Sequence, residues 1–508
     1  MSESATSNWI YLSNGQAADI DKLPVMEMAA FQETILHEIE NGARISALFG
    51  QPVADETVRL WAILSQDRRS LLLPLCTDTG ADYPALTPRC PQAHRFEQEI
   101  CEQWGMQPLG HPWLKPVRFH APYRSTAINP ADAGTPEIGV MPFFRVEGEE
   151  VHEVAVGPVH AGIIEPGHFR FQCHGENVMH LEISLGYQHR GVERHMMSGP
   201  GGRSLHYMET LAGDTTIGHA TAYCQMLEAL SGTGISVRAQ VLRGIALELE
   251  RIANHTGDIG ALAGDVGFLP TMSYCGRIRG DVLNMTAVIC GNRFGRGLVK
   301  PGGVGHDLDS ALRRELHQRL NAVEKDLTVA VNLLWKTSSV MARFEGAGAL
   351  RPEDVEALGF VGPTARACGL ERDVRNDMPG GIFRFTQIPV STCSSGDVMA
   401  RAHVRWLEIQ RSITFIREQL DSMPDEAVRA PVSPLQPSRI AVSLMEGWRG
   451  EICHVALTDH HGRFAAYKVV DPSFHNWFAL AYALRNQQIS DFPLCNKSFN
   501  LSYCGHDL

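Results

Sequence analysis

The residues best suited to proton and electron handling lie in one stretch of the 508-residue chain, from 157 to 256. Imidazole and charged side chains recur there among small and apolar residues, in segments whose patterns otherwise predict burial. The candidates are His160, His189, Arg190, Glu193, His219 and His255. A buried charge is costly unless it is paired, so this clustering indicates a site rather than a solvated surface.

The composition narrows the classes of function. Hydrophobic residues make up 44% of the chain and charged residues 20%, which is typical of a globular protein with a large core. The net charge of −12 gives no reason to expect nucleic acid as a partner. No run approaches the roughly 20 apolar residues that span a bilayer, and the polar start at 1–4 does not resemble a signal peptide. We therefore expect membrane contact only through partner subunits.

The twelve cysteines are scattered, and no two of them are separated by two residues. In a chain without an export signal they are expected to be reduced thiols. Because no cysteine set has the spacing of iron–sulfur ligands, we expect no cluster in this chain. Electrons must then arrive from a neighbouring subunit.

Residues 1–125 are predicted to form a small α/β domain. Apolar positions at helical spacing predict a helix over 27–40. The segments rich in strand-forming residues are 45–49, 58–64 and 70–76. A further short helix should end at Gly105, before a proline-bounded loop at 109–114. We interpret this helix and loop as a docking segment, with a solvated helix and its C-cap as the alternative.

The rest of the chain is predicted to be mainly helical, after a linker rich in Pro, Gly and acidic residues at 126–150. Turn signals and β-branched residues predict hairpins over 151–171. Apolar stripes at spacings of three and four predict helices over 238–255 and 403–420. A strand-like period over 440–470 predicts a late antiparallel sheet.

Three further segments complete the prediction. The glycine-rich stretches at 291–306 and 377–381 lack phosphate-loop spacing and are interpreted as turns. The tail, 491–508, is predicted to be extended and buried. The fold class is therefore α+β: a small α/β domain, then a mainly helical domain at 151–508 with early β-hairpins and a small late sheet.

Several motifs in the second domain are shared with one family. They are Gly157-Pro158-x-His160, Gly186-Tyr187-x-His189-Arg190-Gly191-x-Glu193, Arg238-Ala239-Gln240, Glu250-Arg251-Ile252-x-x-His255, Ala365-x-Ala367-Cys368-Gly369-Leu370-x-x-Asp373-Val374-Arg375, Gly396-Asp397-Val398-x-Ala400-Arg401 and Glu446-Gly447-x-Arg449-Gly450-Glu451. Over 155–508 the chain resembles the 49-kDa large subunit at the quinone end of respiratory complex I. It equally resembles the large subunit of membrane-bound (group 4) nickel–iron hydrogenases, including formate hydrogenlyase and hydrogenase-4. Residues 95–118 resemble the end of the 30-kDa complex I subunit, which implies a fused chain.

The resemblance fails at the nickel ligands. A hydrogenase of this family holds nickel with two C-x-x-C pairs, because nickel and iron favour sulfur ligands. The early pair should fall at 212–222, which contains no cysteine, and the late pair at 500–507, which contains only Cys504. We therefore expect no nickel–iron centre, and whether Cys504 or His506 binds any metal stays open.

The quinone pair is also incomplete. The family uses a tyrosine and the histidine of the Gly-Pro-x-His hairpin to meet the quinone head group. His160 is present, but the tyrosine expected at 212–213 is absent, and Tyr207 lies too early. The resemblance therefore implies a reshaped cavity that has a quinone-like small molecule as a candidate ligand. His219 would supply a polar contact there, or else bond only to a neighbouring carbonyl group.

The remaining roles also follow from the resemblance. Glu193 matches the glutamate that hydrogenases use to pass protons; the alternative is a buried ion pair with Arg194 or Arg251. Arg190 and His255, and more weakly His189, match residues beside the terminal [4Fe-4S] cluster of the partner subunit. A cation there would raise the potential of the cluster, and a histidine would couple electron arrival to proton uptake. The alternative for Arg190 and His255 is helix–helix bridging with Glu248 or Glu250.

Three classes of function remain open. The favoured one is a subunit of a membrane-associated oxidoreductase complex that forms a redox cavity beside a partner's cluster and relays protons. The others are a nickel–iron hydrogenase with unusual ligands and a non-catalytic coupling scaffold. The implied partners are a small iron–sulfur subunit and membrane antiporter-like subunits, which would hold the chain at the cytoplasmic side of the inner membrane.

Overall fold

A computed structural model of the chain describes residues 9–53, 57–80, 82–123 and 136–508. Within these ranges small sheets flank a long helical region, so the α+β prediction is confirmed. Part of the predicted linker, 126–135, lies outside the described residues, and 136–150 contains neither helix nor strand. The boundaries of the two domains stay a prediction.

The N-terminal unit consists of a four-stranded sheet with helices packed against it. Its elements are β1 (Gln16–Asp19), β2 (Val25–Met26), α1 (Met28–Glu40), β3 (Arg44–Pro52), β4 (Val58–Gln66), β5 (Leu71–Thr79), β6 (Tyr83–Pro84), α2 (His94–Trp104) and β7 (Pro108–Leu109). The sheet order is β2-β5-β4-β3, and β3, β4 and β5 run antiparallel. The predicted helix and three predicted strands are therefore confirmed.

Helix α2 ends at Gly105, whose φ of +68° is the left-handed C-cap conformation predicted for it. The solvated-helix alternative is wrong. Phe96, Glu97, Glu99 and Trp104 are all buried, and the helix packs against β3. Acidic residues inside a packed helix need cationic partners, and Glu99 has them, as described below.

The region from 151 to 422 begins with a three-stranded sheet of order β10-β9-β8 and continues as helices. The elements are β8 (Val151–Val156), β9 (His168–His174), β10 (Asn177–Ser184), α3 (Val192–Met196), α4 (Ser204–Met208), α5 (Thr216–Ser231), α6 (Val237–Asp265), α7 (Leu269–Cys290), β11 (Val299–Lys300), β12 (Gly303–Val304), α8 (Ser310–Trp335), α9 (Ser338–Phe344), α10 (Pro352–Leu358), α11 (Pro363–Arg366), α12 (Val374–Asp377) and α13 (Val398–Ser422). The central helix α6 starts at the N-cap Ser236, whose side chain accepts from Ala239 N. It packs against α7 and α13, so the predicted apolar stripes face the core.

The C-terminal sheet joins the two ends of the chain. Its strands β13 (Arg439–Gly447), β14 (Gly450–Thr458) and β15 (Phe464–Val470) are antiparallel, and β1 pairs with β13 to give the order β1-β13-β14-β15. One face of β13 and β14 contributes to the core of the N-terminal unit. Residues of the N-terminal unit therefore reach the same sheet that carries several of the site residues.

The prediction of an extended tail is wrong, although the tail is buried. After α14 (Pro472–Ala483) the chain forms two more short helices, α15 (Phe492–Phe499) and α16 (Tyr503–Asp507). Local capping explains them. Pro493 lies in the first turn of α15, Asn500 ends that helix with φ of +46°, and Ser502 caps α16 by accepting from Gly505 N. Among the described residues, no helix has the length and apolar character required to span a membrane.

Candidate functional site

His219 lies in a buried row of hydrogen-bonded titratable groups, here called the imidazole array: Asp471, His219, His454 and Tyr467. Within it, Nε2 of His219 is 3.0 Å from Oδ2 of Asp471, and Nδ1 of His219 is 3.1 Å from Nε2 of His454. Nδ1 of His454 is 2.8 Å from the Tyr467 hydroxyl. The alternative in which His219 bonds only to a carbonyl group is therefore wrong.

The direction of these hydrogen bonds follows from Asp471. Burial opposes ionisation of this carboxyl, but the His219 bond and Arg449 lower its pKa, so it accepts and His219 donates from Nε2. Burial and the neighbouring His219 hold the pKa of His454 well below its usual value, so His454 is neutral. The tautomer that donates from Nε2 to His219 leaves Nδ1 to accept from Tyr467.

Burial raises the pKa of Tyr467, so its hydroxyl keeps its proton. It donates that proton to His454 Nδ1 at 2.8 Å, because the other acceptor, Met208 Sδ, is weaker and lies at 3.6 Å. Every donor points towards Asp471, the arrangement that passes a proton by successive hops.

Glu193 lies in a second buried group, the junction network: Glu99, Arg118, Glu193 and Lys468. Its Oε1 accepts from Lys468 Nζ and from Val469 N, both at 2.9 Å. Lys468 also donates to both oxygens of Glu99 at 2.6 Å, and Glu99 pairs with Arg118. Burial alone would raise the pKa of Glu99, but Lys468 and Arg118 hold it at about 2. The ion-pair alternative for Glu193 is thus observed with Lys468, not with Arg194 or Arg251.

Glu193 and the imidazole array open onto the same cavity of about 620 Å³, here called the Glu193 cavity. Glu193, Lys468 and Tyr467 line it together with Gln103 and Tyr123. Gln103 Nε2 lies 3.3 Å from Glu193 Oε2. The cavity therefore brings two of the predicted catalytic residues into one neighbourhood, Glu193 directly and His219 through His454 and Tyr467.

His255 lies in a third group, the arginine cluster, which α6 shares with α11, α12, α13 and β13. Its members are Glu248, Arg251, His255, Arg366, Asp373, Arg375, Glu408 and Glu446, all buried. Nε2 of His255 is 2.8 Å from Glu408, so the helix–helix bridging given as the alternative is made, but to Glu408 of α13 instead of Glu248 or Glu250. Arg366 joins Glu408 to Glu446, each at 2.8 Å, and Glu248 pairs with Arg251 and Arg375, each at 3.0 Å.

The arginine cluster carries one more carboxyl group than guanidinium groups. Arg251, Arg366 and Arg375 face the carboxyl groups of Glu248, Asp373, Glu408 and Glu446. Burial raises the pKa of Glu446 to about 7, partly opposed by Arg366. Burial lowers the pKa of His255, although Glu408 opposes this. Near neutral pH a proton on Glu446 therefore balances the charge of the cluster.

Arg190 and His189 lie against the last residues of the chain. The exposed guanidinium group of Arg190 donates to the carbonyl groups of Thr210, Leu211 and Cys504 at 2.7 to 3.0 Å. His189 Nδ1 lies 2.7 Å from the carbonyl oxygen of Asp507, and burial lowers the pKa of His189 to about 4. Arg190 therefore presents a cation to solvent, whereas His255 is enclosed by the arginine cluster.

His160 lies apart from these groups. It follows Gly157 and Pro158 in the loop between β8 and β9, and its Nε2 donates to the carbonyl oxygen of Gly167 at 3.0 Å. The same loop exposes Val159 and Ile163, at 78% and 88% of their full areas. The loop thus exposes apolar side chains to solvent, while its histidine is hydrogen-bonded to the backbone of the same loop.

Cys504 and His506 flank the end of the chain. The Cys504 thiol is 3.5 Å from Ser502 Oγ, interacts with Glu165 and the Gly213 backbone, and has its pKa raised to about 11 by burial. The buried His506 lies 2.9 Å from Asp507 Oδ1 through its Nδ1. Cys504 is thus a neutral thiol next to the stretch in which the early cysteine pair was expected.

Several residues that complete these groups were not predicted from the sequence. His454 stood on a predicted strand, but nothing in the sequence paired it with α5. Lys468 had a usable signal, because it is a charge inside the apolar strand Phe464–Val470. Asp373, Arg375 and Glu446 stood inside the shared motifs, which did not reveal that they meet Glu248 and Arg366.

Known proteins that are similar to this chain include hydrogenases and NADH-quinone oxidoreductase subunits. The model of the family described as "Respiratory-chain NADH dehydrogenase, 49 Kd subunit" matches residues 265–440. Formate hydrogenlyase subunit 5 of Escherichia coli is 30% identical over 83% of this chain and 76% of its own length. The carbon monoxide-induced hydrogenase of Rhodospirillum rubrum is 32% identical over 69% of this chain and 97% of its own length. An NADH-quinone oxidoreductase subunit of Clostridium beijerinckii is 29% identical over 69% of this chain and 95% of its own length.

Proposed function

Because the chain belongs to the large-subunit family shared by respiratory complex I and the membrane-bound hydrogenases, we propose that it relays protons in a membrane-associated oxidoreductase complex, beside the iron–sulfur cluster of a partner subunit. The observation that carries the relay is the imidazole array, which links the Glu193 cavity to Asp471 through hydrogen bonds of 2.8 to 3.1 Å. We propose that the chain binds peripherally at the cytoplasmic side of the inner membrane, held by the small iron–sulfur subunit and antiporter-like subunits.

The chain's own residues divide the work in this proposal. Glu193 takes up the proton in the cavity that Tyr467 also lines. Lys468 and Val469 N hold its Oε1, which leaves Oε2, beside Gln103, to accept the proton and release it. A proton accepted by the Tyr467 hydroxyl displaces that group's own proton to His454, and two further transfers carry charge through His219 to Asp471. Each donor regains a proton from the group before it, so no bond other than O–H and N–H changes.

In this proposal Arg190 is the residue whose positive charge stabilises the reduced form of an electron carrier in the partner subunit. Its guanidinium group is exposed and positioned by three carbonyl oxygens, so it can face a partner's cluster without rearrangement. A cation there favours the reduced form of a cluster. His255 is fully buried and would act on the cluster only through its field.

We further propose that this chain holds no nickel–iron centre of its own. The donors beside Cys504 are a serine, a glutamate and a backbone group, whereas nickel in this family needs four thiolates. Elemental analysis of the complex, isolated through a tag on this chain, should find iron from the partner and no stoichiometric nickel. Nickel at one atom per complex would restore the hydrogenase alternative.

The coupling scaffold stays as the second candidate, because Glu193 is tied into an ion pair rather than left free. Glu193→Gln separates the two. The substitution keeps Lys468 paired with Glu99 and is expected to leave assembly intact while lowering proton-coupled turnover at least tenfold. Turnover is measured in membrane vesicles, with reduced viologen as donor, a short-chain quinone as acceptor and a trapped pH dye.

The control is Glu40→Gln, which removes the same charge from an exposed position on α1. Glu193→Asp should restore part of the turnover. If Glu193→Gln assembles and turns over like the control, the relay role of Glu193 is wrong and the scaffold is favoured.

A further inference from the structure

A second cavity, here called the Trp113 cavity, has a volume of about 640 Å³ and shares no lining residue with the Glu193 cavity. It lies where α2 and the loop after it meet β10 and α14. Its volume falls within the range of about 300–1,000 Å³ that small-molecule sites occupy. None of the groups in the proposed relay lines it.

The walls of this cavity are mostly apolar and aromatic. Trp113 and Phe144 meet edge to face at 5.4 Å between ring centroids, and Trp477 and Phe478 lie across from them in α14. The imidazole ring of His94 adds a further flat surface to the wall. Burial lowers the pKa of His94 to about 3, and its neutral ring stacks on His111 at 5.2 Å. Such walls fit a flat or chain-like apolar body.

Arg95 lines the cavity, and it carries a buried nitrogen that has no hydrogen-bond partner. Among the described residues no carboxylate lies within ion-pair distance of its guanidinium group, and its buried Nε has no hydrogen-bond partner. The contact to Gln98 Oε1 is long, at 3.4 Å. The buried Arg366 shows the contrast, because it pairs with Glu408 at 2.8 Å. The nearest opposite charge to Arg95, on Glu182, lies beyond ion-pair distance. A partly desolvated guanidinium group with so distant a counter-charge is costly to fold and indicates a missing anion.

The one lining carboxylate is already committed. Glu182 pairs with Lys115 at 3.3 Å and accepts from Phe144 N at 2.8 Å. Arg485 at the rim adds a further positive charge. The cavity therefore has an excess of positive charge that lies beside apolar walls.

We propose that the Trp113 cavity binds a small amphipathic carboxylate, aromatic or medium-chain, whose carboxylate pairs with Arg95 and whose apolar body packs against the touching rings of Trp113 and Phe144. A single uncompensated guanidinium group matches a monoanion better than a phosphate dianion. The site is independent of the proposed proton relay, and it uses the loop at 109–114 that the sequence marked as a docking segment.

The test uses a matched pair of probes on the full-length chain. 2-Naphthoate and 2-naphthylmethanol have the same ring system and differ in charge. Isothermal titration calorimetry should give naphthoate a dissociation constant at least tenfold lower than that of the alcohol. Arg95→Met should abolish this preference, whereas Arg68→Met, the same change at an exposed arginine of the N-terminal unit, should keep it.

Two further measurements keep the test decisive. Ala481→Trp fills the cavity from α14 and should abolish binding of both probes even if Arg95→Met does not fold. Competition by octanoate then shows whether the site accepts an alkyl body or only an aromatic one. Equal affinity for the two probes in the wild-type chain, or a preference that survives Arg95→Met, would overturn the proposal.

Discussion

The imidazole array and the arginine cluster are both buried, yet they handle charge in opposite ways. The array consists of groups that can each give and take a proton, and burial keeps two of them, His454 and Tyr467, in their neutral forms. The cluster consists mainly of guanidinium groups and carboxylates fixed in ion pairs. Proton movement needs the first arrangement, whereas the second fixes α6, α11, α13 and β13 relative to one another.

The comparison predicts that the cluster contributes far more to stability than the array. Arg366→Met leaves Glu408 and Glu446 without their shared cation and should lower the free energy of unfolding by about 3–5 kcal/mol. Urea unfolding of the purified chain, followed by tryptophan fluorescence, measures the change. Arg417→Met is the control, because its pair with Glu324 is half-exposed and should cost less than about 1 kcal/mol. Equal losses in the two variants would contradict the role given to the cluster.

Breaking the centre of the array should cost less. His454→Phe removes two hydrogen bonds, leaves His219 Nδ1 without a partner and leaves the Tyr467 hydroxyl only the weak contact to Met208 Sδ, for a loss of about 2 kcal/mol. In the intact complex the same variant should stop proton-coupled turnover, because the array is interrupted. His306→Phe changes an exposed histidine and should alter neither quantity. A His454→Phe complex with normal turnover would remove the array from the proton path.

The two regions also differ in how far the sequence could predict them. Helix α6 was predictable, since its apolar stripe and charged face both follow from helical spacing, and Glu248, Arg251 and His255 do share a buried face. The partners Arg366 and Glu408 were not, because ion pairs between α6, α11 and α13 depend on how these helices pack. The same holds for His219 and His454, which lie 235 residues apart and meet only after α5 packs on β14. The prediction of an extended tail was wrong for a local reason. It rested on the apolar content of the tail and did not use the capping residues Asn500 and Ser502.

The cluster should dominate the pH dependence of stability near neutral pH. Because burial raises the pKa of Glu446 to about 7, the folded chain binds a proton there that the unfolded chain has lost above its ordinary value near 4.5. Stability contributed by this proton is present below about pH 4.5 and is lost as the pH rises to about 7, at up to about 1.4 kcal/mol per pH unit. Glu446→Gln keeps an acceptor for Arg366 and removes the titration. Its free energy of unfolding should therefore fall less than that of the wild type between pH 5 and 7, and parallel pH profiles would contradict the assignment.

The variant with the smallest expected change in stability distinguishes best between a packing role and a role in proton transfer. Tyr467→Phe removes one hydroxyl group at the cavity end of the array, with the ring still packed against Phe464, and should cost about 1 kcal/mol or less. If protons enter the array from the Glu193 cavity, the same variant should lower proton-coupled turnover at least tenfold, because His454 then has no group from which to receive a proton. Tyr274→Phe, at a tyrosine that is 47% exposed, is the control for both measurements. Turnover that falls only in proportion to stability would mean that Tyr467 is a packing residue and that protons reach Asp471 by another route.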